Sequence, residues 1–134
     1  CACLVGSEMC IRDSFSTGPS IPNTVRNIVQ EAIATFVLVF AICGLSQVPE
    51  LNDGVGKLLV FGIIVSIGMS LGGLTGYALN PARDLGPRIA HAILPIKGKG
   101  SSNFKYGLIV PIFGPIIGGL LAVLLYNVIP WAAA

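Results

Sequence analysis

The chain has 134 residues, 54% of them hydrophobic and only 10% charged, with a formal net charge of +2. A soluble globular domain carries about 25% charged residues, so this composition, with a mean hydropathy of +0.85, points to a membrane protein. The few basic residues form no dense stripe that would hold a nucleic acid, and at about 20 residues per span the length allows three or four spans.

The chain starts at Cys1 rather than Met, so the sequence is expected to be an incomplete natural product. Residues 1–14, CACLVGSEMCIRDS, hold three of the four cysteines and no long apolar run. They resemble translated adapter or linker sequence, of the kind found at the ends of metagenomic reads, and are set aside from fold reasoning as a non-native, unpacked segment. A metal site from Cys1, Cys3 and Cys10 is disfavoured, because C-x-C-x6-C matches no zinc pattern and no histidine lies nearby. Residues 15–27 read as a loop, polar and proline-containing at FSTGPSIPNT.

The first span is expected over residues 28–45, with Glu31 the only acid inside a span. A turn follows at Asn52-Asp53-Gly54. The second span is the uncharged run 58–79 and the third covers about 106–130. Two G-x-x-x-G patterns, Gly68 to Gly72 and Gly114 to Gly118, suit close helix approach in lipid. Cys43 reads as a small packing residue, and the stretch KGKGSSNFK (97–105) as a solvated loop.

Between the second and third spans, Asn80 is a good N-cap and Pro81 suits a first helical position. The helix from Pro81 to Ala92 would be about 18 Å long, roughly half of a 30 Å hydrocarbon core. Periodicity leaves two readings open: a half-helix dipping to the midplane, or an amphipathic helix lying in the interface. His91, the one histidine, has no paired nucleophile or carboxylate. It reads as an outer packing or surface residue. No cofactor, metal or catalytic constellation is found, so an enzyme is not expected.

The segment LTGYALNPARDLGPR, Leu74 to Arg88, resembles the second Asn-Pro-Ala box of the aquaporin (major intrinsic protein) family, in its glycerol-facilitator branch. EAIATFVLVF resembles that family's fourth span and VPIFGPIIGGLLAVLLY its sixth, so the resemblance covers about residues 25–129. It implies an all-α membrane fold: an aquaporin-like half, residues 28–134, with three transmembrane helices and one re-entrant half-helix. The family's first three spans and first box have no counterpart here. The implied function is a passive channel for glycerol and other small neutral solutes, with water. The implied partners are membrane lipids and, in the full-length protein, three further copies in a homotetramer at the plasma or inner cell membrane.

The resemblance also assigns roles. The box is Asn80-Pro81-Ala82, whose half-helix points free N–H groups and a positive dipole end at the midplane. If a backbone N–H holds the Asn80 oxygen, its amide nitrogen is left to donate to a permeating hydroxyl. Carbonyls of residues 73–79 would supply a ladder of acceptors, since non-helical backbone at this depth must be buried in protein or line a wet cavity. Arg83 matches the arginine of the selectivity filter. Tyr77 matches a filter position where the branch usually carries an aromatic, often phenylalanine. Gly68 stands where water-selective members place a histidine, leaving room for a carbon backbone. Asp84, Arg88, Pro111 and Ile112 match the glycerol branch, and Glu31 resembles a buried glutamate that accepts hydrogen bonds from the re-entrant loop.

One feature runs against the resemblance. It places the loop at 47–57 inside the cell and the segment 80–105 outside, yet the basic residues are Lys57 inside against Arg83, Arg88, Lys97, Lys99 and Lys105 outside. That opposes the positive-inside tendency. Two other function classes stay open: a secondary transporter with a midplane half-helix site, and a membrane interaction subunit that conducts nothing.

Overall fold

A computed structural model describes residues 8–131, which are helical with no strand among them. The elements are α1 (Glu8–Phe15), α2 (Thr24–Leu45), α3 (Asp53–Leu71), α4 (Pro81–Ile93), α5 (Phe104–Gly107) and α6 (Val110–Val128). Thr24–Leu45, Asp53–Leu71 and Phe104–Val128 are long and apolar enough to cross a membrane. Cys1 and Cys3, and with them the three-cysteine metal site, lie outside the described residues.

The polarity of the fold is inverted relative to a water-soluble protein. Among the largest fully buried side chains are Arg88, His91, Glu31, Asn27, Thr75 and Asp84, while Val25, Phe61, Met69, Leu120 and Leu124 are exposed. On α2 the buried positions Asn27, Glu31, Ala34 and Thr35 share one face. Large apolar residues occupy the opposite face, at Val25, Val29, Ile33 and Val37. A solvent as apolar as lipid rewards this arrangement, because only the buried polar groups then find partners.

The main packing is α2 against α6. Its seam on α6 is Val110, Pro111, Gly114, Pro115, Gly118 and Ala122. A Cβ on Gly114 would stand 2.5 Å from the Glu31 Cβ, and one on Gly118 would overlap the Ala32 carbonyl. The G-x-x-x-G of α6 is therefore the contact surface of two spans. The G-x-x-x-G at Gly68 and Gly72 is not: its glycines face the ring of Tyr77 instead of another helix.

Several boundaries differ from the sequence reading. The first span begins at Thr24, inside the expected loop, because the Asn23 side chain caps it by accepting from the Arg26 N–H at 3.0 Å. The second span stops at Leu71 rather than Leu79. Gly76, Tyr77 and Leu79 all have positive φ, which no helix tolerates, so apolarity alone overstated its length. The third span starts two residues early as α5 and breaks before α6. Residues 8–15 form a helix that packs on α4, where an unpacked segment was expected. The edge of the Phe15 ring meets His91, with centroids 5.4 Å apart, which supplies a reason for that packing.

Depth settles the two readings of α4. Glu31 is about 10 Å along α2 from its start and Leu38 about 21 Å, at 1.5 Å per residue. The backbone of Ala78 and Leu79 bonds to Glu31, and Asn80 shares a hollow with Leu38 and Ile64. The start of α4 thus sits near the middle of a span about 33 Å long. Its far end, at His91, bonds Lys99 and Ser102 in the loop that leads into α5. The helix is re-entrant and does not lie flat.

Candidate functional site

The site is built on the non-helical stretch between α3 and α4. Glycine makes it possible: Gly76 has φ +75°, a conformation that costs little only without a Cβ. Protein groups hold the stretch from several sides. Gln30 Nε2 donates to the Leu71 carbonyl at 2.6 Å, closing the end of α3. Ser20 donates through its hydroxyl to the Gly73 carbonyl and through its N–H to the Leu74 carbonyl, both at 2.8 Å. The Tyr106 hydroxyl donates to the Thr75 carbonyl at 3.3 Å. Glu31 accepts from the Ala78 N–H at 2.9 Å and the Leu79 N–H at 2.8 Å, one on each carboxylate oxygen.

The carbonyls of Gly73, Leu74 and Thr75 each already accept one bond from the protein, which anchors the start of the expected ladder of acceptors. The Tyr77 carbonyl has no partner among the described residues, and the Gly76 carbonyl has only a long contact of 3.4 Å from Arg83 Nη1. The Tyr77 carbonyl is thus the acceptor of this stretch left most free for a solute.

Asn80 caps α4 as its type predicts, with extended backbone and its Oδ1 accepting from the Ala82 N–H at 2.8 Å. The amide nitrogen of Asn80 has no partner among the described residues. It borders the hollow lined by Leu38, Ile64, Tyr77 and Arg83. Pro81 and Ala82 form the first turn, where the absence of a proline N–H costs nothing.

Arg83, Tyr77 and Gly68 come together. The Arg83 guanidinium lies over the Tyr77 ring, 5.2 Å from its centroid. The same ring rests against the end of α3, where a Cβ at Gly68 would stand 3.2 Å from Tyr77 Cζ and one at the capping Gly72 would stand 2.8 Å from Cδ1. The room left by Gly68 is filled by this ring, so the glycine sets where the aromatic wall stands. Pro111, buried in the α6 seam, and half-buried Ile112 make no bond to this trio.

Behind the box, Asp84 and Arg88 are fully buried one turn apart on α4. Arg88 Nε reaches Asp84 Oδ2 at 2.8 Å and Nη2 reaches Oδ1 at 2.9 Å. The remaining donors go to the carbonyls of Thr17, Ser102 and Asn103. Asp84 Oδ1 also accepts from the N–H and hydroxyl of Thr17, at 2.8 and 2.5 Å. All five guanidinium N–H groups are spoken for, which is the condition for a buried charge to be tolerated. Gly107 is required beside it, since a Cβ there would overlap Arg88 Nε.

Thr17, Ser20, Gln30, Tyr106 and Gly107 were not singled out from sequence. Their function is to bond backbone or to leave space, and no spacing pattern marks either role. His91, read as an outer packing or surface residue, is buried at the far end of α4, with Nδ1 2.8 Å from the Ser102 hydroxyl. Lys99, read as a solvated charge, instead donates to the carbonyls of His91, Ala92 and Leu94 and closes the negative end of α4. Of the five basic residues in 80–105, only Lys97 and Lys105 thus lack a partner among the described residues.

A family model described as Major intrinsic protein matches residues 3–126. The chain is 58% identical over 113 residues to the glycerol uptake facilitator protein of Bacillus subtilis (strain 168), covering 84% of this chain and 40% of that protein. It is 54% identical over 114 residues to the glycerol uptake facilitator protein of Streptococcus pneumoniae serotype 4, covering 85% and 48%. It is also 43% identical over 116 residues to the D/L-lactic acid transporter of Lactiplantibacillus plantarum, covering 87% and 48%. The chain spans less than half the length of these relatives.

Proposed function

The chain belongs to the major intrinsic protein family, and on that premise we propose that it is the C-terminal repeat of a passive transmembrane channel for glycerol and other small neutral solutes, with water. The observation that carries this reading is the pairing at mid-depth of side-chain donors with an aromatic wall. The Asn80 amide and the Arg83 guanidinium are the donors, and the Tyr77 ring under Arg83 is the wall. A polyol loses its hydration on passing such a place. Its hydroxyls regain partners from the donors and from the Tyr77 carbonyl, while its carbon edge slides along the ring. The positive end of α4 and the Arg83 charge disfavour cations.

In this reading Glu31 fixes the loop, the Asp84–Arg88 pair fixes α4, and Pro111 and Ile112 shape the packing behind them. The complete protein is a homotetramer in the plasma or inner cell membrane, among lipids that cover the exposed apolar faces. Residues 1–14 are non-native, and removing them leaves expression and folding of the remainder unchanged; a drop in either would contradict this.

The test is a chimera in which residues 15–134 replace the matching half of the Bacillus subtilis facilitator, with glycerol uptake measured in proteoliposomes. Uptake that is fast and indifferent to proton or sodium gradients supports a passive channel. Uptake that requires a gradient favours a secondary transporter, and a folded chimera with no uptake favours a non-conducting subunit.

A further inference from the structure

A second pocket lies away from the box, where α2 and α5 begin. It is about 250 Å³ and lined by Asn23, Thr24, Asn27, Asn103, Lys105 and Tyr106 among others. At about 30 Å³ per molecule this is space for roughly eight waters, more than one orphaned group requires. Two of the three spans start at its rim, Thr24 on one side and Phe104 on the other. The pocket therefore sits at the level of the lipid headgroups.

Its chemistry is asymmetric. Lys105 has no partner among the described residues, and the Asn103 side chain makes no capping bond. The Thr24 and Val25 N–H groups, at the positive end of a 22-residue helix, have no partner either. Together these donors suit a phosphate. Asn27 supplies the opposite requirement. It is 1% exposed, and its Oδ1 has no hydrogen-bond partner among the described residues. Its Nδ2 donates to the Ile21 carbonyl at 3.0 Å, which fixes the amide orientation and makes the orphan an acceptor. A phosphate oxygen cannot satisfy that atom; a hydroxyl can.

We propose that this pocket binds the headgroup of an anionic phospholipid that carries its own hydroxyl donors, of the phosphatidylglycerol type. The phosphate sits at Lys105 and the start of α2, and a headgroup hydroxyl donates to Asn27 Oδ1. Exposed Val25, Phe104 and Leu108, each within one turn of a lining residue, offer apolar surface to the acyl chains. That surface favours a lipid over a soluble phosphate ester.

The full chain is placed in phosphatidylcholine nanodiscs doped with a second lipid, and the lipid retained after delipidation is counted by native mass spectrometry. Phosphatidylglycerol should be retained over phosphatidylmethanol, which has equal charge and no headgroup donor, and both over phosphatidylcholine. Lys105→Gln should reduce phosphatidylglycerol retention about fivefold, from the worth of one lysine at a membrane surface. Lys97→Gln, which removes an equally unpartnered lysine outside the pocket, should leave it unchanged. Equal losses in both variants would reduce the effect to general surface charge and overturn the proposal. Equal retention of phosphatidylglycerol and phosphatidylmethanol would overturn the role of Asn27, and no preference over phosphatidylcholine would mean that the pocket holds water only. Displacement of phosphatidylglycerol by soluble glycerol 1-phosphate or inorganic phosphate would replace the lipid with a free phosphate as the ligand.

Discussion

Arg88 and Asp84 face each other one turn apart on α4, joined by two charge-assisted bonds of 2.8 and 2.9 Å with both side chains shut off from solvent. The same guanidinium reaches the loop before α2 through the Thr17 carbonyl and the loop before α5 through Ser102 and Asn103. One side chain thus ties two separate loops to the helix that presents the box.

Removing that side chain should therefore be expensive. Arg88→Met leaves the Asp84 carboxylate buried and unpaired, and breaking a buried pair this way costs about 3–5 kcal/mol. Arg88→Lys should recover only part, because an ammonium has three donors and no fork to match a carboxylate. The check is the unfolding midpoint in mixed detergent–SDS micelles. A Met variant as stable as the parent would mean that the network is ornamental.

The glycines of α6 separate from those of α3 in a similar way. Gly118→Leu should split α2 from α6, since a Cβ there already overlaps the Ala32 backbone. Gly62 on α3 has nothing within 4 Å of a built Cβ, and Gly62→Leu should be silent. A protease-resistance comparison of the two variants reads the difference, and equal resistance would contradict the seam assigned to α2 and α6.

At the box, Arg83→Val in the facilitator chimera should admit monovalent cations and change the ratio of glycerol to water flux. The basis is the placement of an unpaired guanidinium against the Tyr77 ring at mid-depth. Liposomes that show unchanged glycerol flux and no cation leak would reduce Arg83 to a lipid-facing charge.

Much of this was legible in the sequence where a residue type has one dominant physical use. Asn80 followed by Pro81 announces a helix start, and α4 begins there. Glu31 in an apolar run announces a buried acceptor, and both its oxygens are used. The uncharged runs announced three spans but not where they end, because Leu74, Ala78 and Leu79 are as apolar in a strained loop as in a helix. The roles of Thr17 and Ser20 were hidden for a different reason. Their bonds go to residues more than fifty positions away, and nothing local encodes that. Gly68 was read as leaving room in the filter, and what a side chain there would meet, the Tyr77 ring at 3.2 Å, is visible only in the tertiary structure.

In the proposed channel this chain supplies one repeat of a two-repeat pore, with the Asn80 amide nitrogen and the positive end of α4 awaiting a second half-helix. Unsatisfied polar groups at that depth cost several kcal/mol each in hydrocarbon, so the chain alone should not seal a conducting path. Glycerol-driven swelling of liposomes measures this directly, with the chain reconstituted by itself and together with the first half of the Bacillus subtilis facilitator. No swelling above empty liposomes is expected from the chain alone, and rapid swelling when the two halves are combined. Robust swelling from the chain alone would contradict it and make this chain a channel subunit in its own right.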